Sequence, residues 1–213
     1  MTNTEIHEGF TRVSTVLAPF SGIDKIDPRV LQNAAFRGTI THQAIDKIIS
    51  GQRAFDVLMD LENQMKAIDG YIQNEEHLNK ETLLIEAMLE SFFIWAADKE
   101  LHPSPGRMYS EAFKITGEID CFYFNKHNEI VLVDFKTPVS ESKTWRLQGS
   151  AYWYMFVHGD RDADIVEFVK LDRKGKEPKS IVYQPDFQLF ESVLNTYNYF
   201  YKDYTPDVEL DYI

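Results

Sequence analysis

Two short runs hold the residues best suited to chemistry: Gly117-Glu118-Ile119-Asp120 and Ile130-Val131-Leu132-Val133-Asp134-Phe135-Lys136-Thr137. Side chains alternate along a strand, so Ile130, Leu132, Asp134 and Lys136 share one face while Val131, Val133 and Phe135 share the other. An acid and an amine that follow two aliphatic residues put charge where the pattern calls for burial. Local conflicts of this kind gather at functional sites. The bland alternative is a solvated strand face carrying a weak ion pair, and the aliphatic character of the second run argues against it.

Strand parity decides whether Asp120 can join the pair. Opposed residues of an antiparallel pair have a constant index sum and share a face. Asp120 meets Asp134 if the connection around Lys126–Asn128 has three or five residues, or carries a bulge; Asn125 and Asn128 suit such a turn. The two Cβ atoms would then lie roughly 5 Å apart. Paired carboxylates repel, and one of them should retain a proton. Mg²⁺ or Mn²⁺ relieves that conflict, since a hard ion takes oxygen ligands and keeps waters of its own. It polarises a phosphoryl oxygen and lowers the pKa of water, while Lys136 stabilises developing charge. The chemistry implied is phosphodiester hydrolysis.

The surrounding elements must place these groups. Residues 1–28 are turn-rich, with Pro19, Gly22 and Pro28, and hold one short helix around Val13–Leu17. Asp27 and Pro28 read as N-cap and first turn of a helix. Thr39 or Thr41, after Gly38, reads as the cap of a second segment, in which His42, Ile45 and Ile49 share a face. Helices are expected over 53–69 and, most clearly, from Glu81 to Lys99. Past the Pro103–Gly106 break the period changes, and three strands are expected at 108–115, 117–125 and 129–137. A helix then runs from Lys143 to Val157, strands follow near 163–171 and 179–184, and a last helix covers Pro185–Lys202.

The expectation is an α/β fold in one domain over 1–213: a central mixed sheet, made of a three-stranded antiparallel meander plus further strands, flanked by helices. Residues 1–100 form a helical N-terminal wall, 107–185 the α/β core and 186–213 a final helix and tail.

Composition sets outer bounds. With 44% hydrophobic and 14% aromatic residues among 213, the chain is globular. No apolar run is long enough to span a membrane, and Met-Thr-Asn-Thr-Glu is no export signal, so a cytoplasmic protein is expected. One cysteine, Cys121, cannot supply the four thiolates of an iron–sulfur cluster or a Cys₄ zinc site. The net charge of −12 opposes broad nucleic-acid binding. From Arg107 to Lys179, however, twelve Lys/Arg balance twelve Asp/Glu, so the whole excess lies outside that segment.

Taken together, the motifs resemble those of the PD-(D/E)XK nuclease superfamily, in its RecB-like, phage-type exonuclease branch. The resemblance rests on Gly117-Glu118-Ile119-Asp120, Asp134-Phe135-Lys136-Thr137, Gln148-Gly149-Ser150-Ala151-Tyr152 and the upstream Gly38-Thr39-Ile40-Thr41-His42, with Glu111 on the preceding strand. Each motif is weak alone; their order and spacing over residues 11–172 make the likeness specific. It implies a restriction-endonuclease-like core and a Mg²⁺- or Mn²⁺-dependent deoxyribonuclease acting at DNA ends in recombination, replication or repair. Asp120, Asp134 and the Phe135 carbonyl would ligate the ion, with Glu111 and His42 completing the metal site, and Lys136 would be the catalytic lysine. Gln148 and Tyr152, one turn apart on a helix, would contact substrate or brace water, and Lys143 and Arg146 would meet phosphates. DNA is the partner implied, with self-association and a single-strand annealing or replication protein as further expectations. Two rival readings share the core: a restriction-type endonuclease, and a catalytically silent DNA-binding protein.

Structural alternatives exist for the outlying residues. His42 shares its face with isoleucines, as a satisfied core histidine would; Gln148 and Tyr152 could be packing residues beside Trp145, Trp153 and Phe156; Glu111 could be a plain strand carboxylate.

Overall fold

The computed structural model describes residues 8–159 and 161–202. In chain order the elements are β1 (Thr11–Arg12), α1 (Val13–Ser21), a 3₁₀ turn (Ile23–Lys25), α2 (Pro28–Ile49), α3 (Ala54–Lys66), α4 (Glu75–Ala96), β2 (His102–Pro103), β3 (Met108–Ser110), β4 (Ile115–Gly117), β5 (Cys121–Phe124), β6 (Ile130–Lys136), α5 (Thr144–Val157), β7 (Ile165–Lys170), β8 (Lys179–Tyr183) and α6 (Phe187–Phe200). Among these, no helix is long and apolar enough to cross a membrane.

A five-stranded mixed sheet, ordered β2-β5-β6-β7-β8, divides the molecule. Its central strands β6 and β7 are parallel, and α5 makes the crossover between them. Helices α2, α3 and α4 cover one face over a core that includes Ile45, Leu61, Ile85, Val133 and Phe135. The other face carries α1, α5 and α6 over Leu132, Trp145, Met155, Phe168 and Phe190. The expected α/β class with a helical N-terminal wall is what the chain adopts.

Three local expectations change. The run 108–115 is not one strand of a meander: it folds back on itself, β3 pairing β4 with Ser110 opposite Ile115, and β1 joins to make a separate three-stranded sheet. Lys114, at φ 51, closes that tight turn. The first member of the antiparallel trio is instead His102–Pro103, paired with β5. Finally, Gly38 does not divide two helices. Helix α2 runs through it, and Thr39 and Thr41, taken as caps, return their hydroxyls to the carbonyls of Ala35 and Arg37 inside the helix. The caps do form at the true start, where Asp27 accepts from the Arg29 N–H at 2.9 Å and Pro28 fills the first position.

Candidate active site

The β5–β6 hairpin has a five-residue connection from Asn125 to Glu129, with Asn128 at φ 61, a left-handed value that asparagine tolerates well. Its register pairs Phe124 with Ile130 and Cys121 with Val133. One residue further the register slips: the Asp120 N–H donates to the carbonyl of Val133, the residue already paired with Cys121, at 3.0 Å, so the strand bulges at Asp120. The Asp120 side chain then makes the next bond to β6: Oδ2 accepts from the Phe135 N–H at 2.6 Å. The other oxygen, Oδ1, lies 2.7 Å from His42 Nδ1, which α2 brings in from 78 positions upstream. Asp120 is thus fixed at both oxygens while its side chain stays 21% exposed.

Asp134 and Lys136 share the face of β6 that turns toward α5, and both are buried. Their charges form an ion pair, Oδ1 to Nζ at 2.8 Å. That contact lacks the alignment of a hydrogen bond, and Asp134 Oδ1 has no other partner. The better bond of the amine is to Gln148 Oε1, at 3.0 Å; Gln148 Nε2 in turn donates to the Tyr152 hydroxyl at 2.8 Å. A continuous polar chain therefore runs Asp134–Lys136–Gln148–Tyr152 through the interface between sheet and helix. The ring of Phe168 adds a cation–π contact, its centroid 5.4 Å from Nζ.

Two glycines let α5 come this close. A Cβ on Gly117 would fall 2.3 Å from Cε1 of Tyr152, and one on Gly149 would fall 2.9 Å from both Phe168 and Val166. Only hydrogen fits at either position, which explains in physical terms why Gly117 precedes Asp120 by three and why Gly149 follows Gln148.

Electrostatically the centre is short of positive charge. Burial raises the pKa of Asp134 to about 6, and the charge of Asp120 pushes the same way, against the pull of Lys136. A further acid stands nearby: Asp46, one turn beyond His42 on α2, also has its pKa raised, by burial first and by Asp120 second.

Other expected residues lie elsewhere. Glu111 is not on a strand and does not approach the two aspartates along the chain path; it occupies the β3–β4 turn, 77% exposed, in an ion pair with Lys114. The chain must cross β4 before it reaches Asp120, which puts Glu111 at the opposite end of that hairpin. Arg146 faces Asp186 at 3.7 Å on the outer side of α5. Lys143 stands at the N-terminus of α5, on the rim of a cleft of about 360 Å³ between α1 and the β6–α5 loop. Gln148 also lines that cleft, so one side chain separates its interior from the Lys136 amine. Gln148 and Tyr152 are buried against the amine rather than presented to solvent. Asp46 went unrecognised in the sequence, although its spacing of four from His42 on one helix was the available signal.

Among the described residues, no three Asp, Glu, His or Cys side chains close into a metal cage. The donors present nevertheless fit a cation that carries its own water. Mg²⁺ is commonly held by one or two carboxylates with waters completing the octahedron. Asp120 and Asp134 supply those carboxylates, and the buried Asp134 Oδ1 has a lone pair without a well-aligned donor.

No family model matches the chain, and neither does any curated protein. Solved structures of related shape include SSO0001, at 13% identity over 89% of this chain and 75% of that one, with a TM-score of 0.40. A candidate exonuclease from Eubacterium rectale shares 11% identity over 95% and 84%, TM-score 0.46. LHK-Exo in complex with dAMP shares 12% over 79% and 90%, TM-score 0.33. These likenesses are too distant to decide the chemistry, which rests on the residues themselves.

Proposed function

We propose that this chain is a Mg²⁺- or Mn²⁺-dependent nuclease that hydrolyses phosphodiester bonds at DNA ends. The observation that carries the reading is Lys136: its side chain is only 1% exposed, yet it stands 2.8 Å from the buried Asp134, and a second aspartate, Asp120, is hydrogen-bonded to the Phe135 N–H between them. Burying a charge pair is costly, and an apolar pair of similar volume is often as stable or more so. Chemistry is the return that justifies it.

In this reading Asp120 and Asp134 hold the cation, which when bound activates water and draws charge from the phosphoryl oxygens. His42 and the Phe135 N–H keep the Asp120 carboxylate from rotating. Lys136 directs its ammonium at the negative charge that develops on the phosphorus oxygens. Gln148, held by Tyr152, accepts from that ammonium and fixes its position. Asp46 is a further acid whose pKa the charge of Asp120 helps to raise.

The test uses labelled linear DNA and covalently closed circles, with Mg²⁺, with Mn²⁺ and with EDTA. Progressive loss of the linear DNA with either ion, with circles spared and EDTA inhibiting, is the expected result. Cutting of the circles would move the assignment to an endonuclease. Absence of cleavage on every substrate would defeat it.

A further inference from the structure

The acidic chain contains one strongly basic surface segment that the reading above leaves unused. Between Lys170 and Lys179 there are five Lys/Arg and two Asp/Glu, in a protein whose net charge is −12. This is the end of β7, the loop that follows and the start of β8. Parallel pairing sets Lys170 beside Lys136, so the loop leaves the sheet at the same end as the reactive amine.

The loop is held firmly, and its anchors converge on the chain just past Lys136. Arg173 donates through Nε and Nη2 to the Thr137 carbonyl, at 3.1 and 2.8 Å. Lys170 Nζ donates to the Val139 carbonyl at 2.9 Å, and Lys179 pairs with Glu141 at 2.5 Å. On the far side the Asp172 N–H donates to Ser91 of α4 at 2.9 Å. Of the two acids in the segment, Asp172 is consumed internally: its Oδ1 accepts from the N–H groups of Lys174 and Lys176 and shapes the turn, which Gly175 completes at φ 69, while Glu177 is exposed. Lys174 and Lys176 are exposed and form no ion pair among the described residues. Arg173 has no carboxylate partner there either, and burial together with the like charge of Arg37 lowers its pKa. Glu141 neutralises Lys179, and the Glu90 carboxylate of α4 lies against Gly175, but Lys174 and Lys176 keep their ammonium groups exposed and outside any ion pair among the described residues.

We infer that the β7–β8 loop grips the phosphate backbone of the DNA that flanks the scissile bond, with Lys174 and Lys176 meeting phosphates and Arg173 bracing the loop against the catalytic strand. This rests on the nuclease reading for its substrate, but it names a binding surface outside the catalytic centre. It also answers the electrostatic objection raised by the sequence: a strongly acidic chain can hold DNA if its cations are concentrated where the strand enters, while the acidic remainder repels the polymer elsewhere.

The experiment compares wild type, the double variant Lys174→Gln/Lys176→Gln and the control Lys66→Gln on α3. Binding of a labelled duplex oligonucleotide and of its single strand is read by fluorescence anisotropy over a salt series, with Ca²⁺ in place of Mg²⁺. Cleavage by the same proteins is read with Mg²⁺. The double variant should bind more weakly whatever the DNA sequence, with the salt-dependence slope reduced by about one per lysine removed. Its KM should rise while kcat holds, and Lys66→Gln should match wild type. An unchanged slope and KM in the double variant, with an active wild type, would overturn the grip and leave the nuclease reading intact. Loss of the slope in a protein that never cleaves would sustain the grip and remove the nuclease reading. A wild type that binds neither DNA form would overturn the grip outright.

Discussion

Adjacent strands of one sheet carry two buried carboxylates, and the sheet treats them in opposite ways. Glu167 on β7 points to the α4 side, where it accepts from Trp95 Nε1 at 3.1 Å, from the Tyr123 hydroxyl at 2.9 Å and from the Ser180 hydroxyl. Three neutral donors on three elements solvate it as water would. Asp134 on β6 points to the α5 side, with a lysine ammonium at close range, poor alignment and the charge of Asp120 pushing its pKa up. Buried polar groups in native structures are normally satisfied. Glu167 meets that rule and serves as a staple between sheet and α4; Asp134 breaks it, and is therefore the carboxylate to associate with chemistry. Burial alone did not separate the two. The company each keeps does.

Substitutions should split the pair cleanly. The largest effect is expected from Lys136→Ala, which should lower kcat by about 10²–10³, the typical loss when one preorganised charge-stabilising donor is removed. Mn²⁺ binding, followed by calorimetry, should persist in that variant; retained cleavage would break the comparison. Asp134→Asn should lose both cleavage and Mn²⁺ binding, read by the same calorimetry. Glu167→Ala should do the reverse. It strands three donors and should cost about 1–3 kcal/mol in urea denaturation, with kcat in the folded protein unchanged. Stability equal to wild type would show that Glu167 is not the staple described.

The pH dependence should separate the faces as well. Asp134 has a folded-state pKa raised to about 6 from the ordinary 3.8. The folded state therefore takes up a proton before the unfolded chain does, as pH falls through that interval. This group's contribution to stability increases from pH 6 down to about 4, then levels off. Chemical denaturation across that window should show the slope in metal-free wild type and not in Asp134→Asn. The smallest effect is expected from Tyr152→Phe. It leaves Gln148 without its acceptor and should cost a few-fold in kcat, since the ammonium is then less firmly aimed.

Much of the site was legible from parity. Alternation along Ile130–Lys136 placed Asp134 and Lys136 on one face, and the five-residue turn at Asn125–Glu129 gave the register that pairs Cys121 with Val133, from which a bulge at Asp120 carries its carboxylate to the Phe135 N–H. Local rules suffice for that. What escaped them depended on tertiary contact. Gly38 reads as a break because glycine weakens an isolated helix, yet α2 is carried through it by packing against α3 and α4. Glu111 reads as a strand residue because nothing in its immediate neighbours announces that Lys114 will adopt a left-handed turn. Asp46 was invisible as a partner of Asp120 until α2 was docked on the sheet end, since 74 positions separate them in the chain. The role of Gln148 changed for the same reason. Its helical spacing from Tyr152 was plain, but only the approach of α5 permitted by Gly117 and Gly149 turned that face onto the lysine.

The ring of Tyr152 lies over bare backbone at Gly117, a residue of the smaller sheet, while its hydroxyl ends the hydrogen-bonded series that begins at the larger one. The two sheets are consequently indexed to each other at the very point where the ammonium is aimed. Any slip of the small sheet along α5 would be felt as a rotation of one phenol, passed through one amide, and delivered to one amine. The alignment of the whole fold is in this sense gauged at the atom on which hydrolysis would depend.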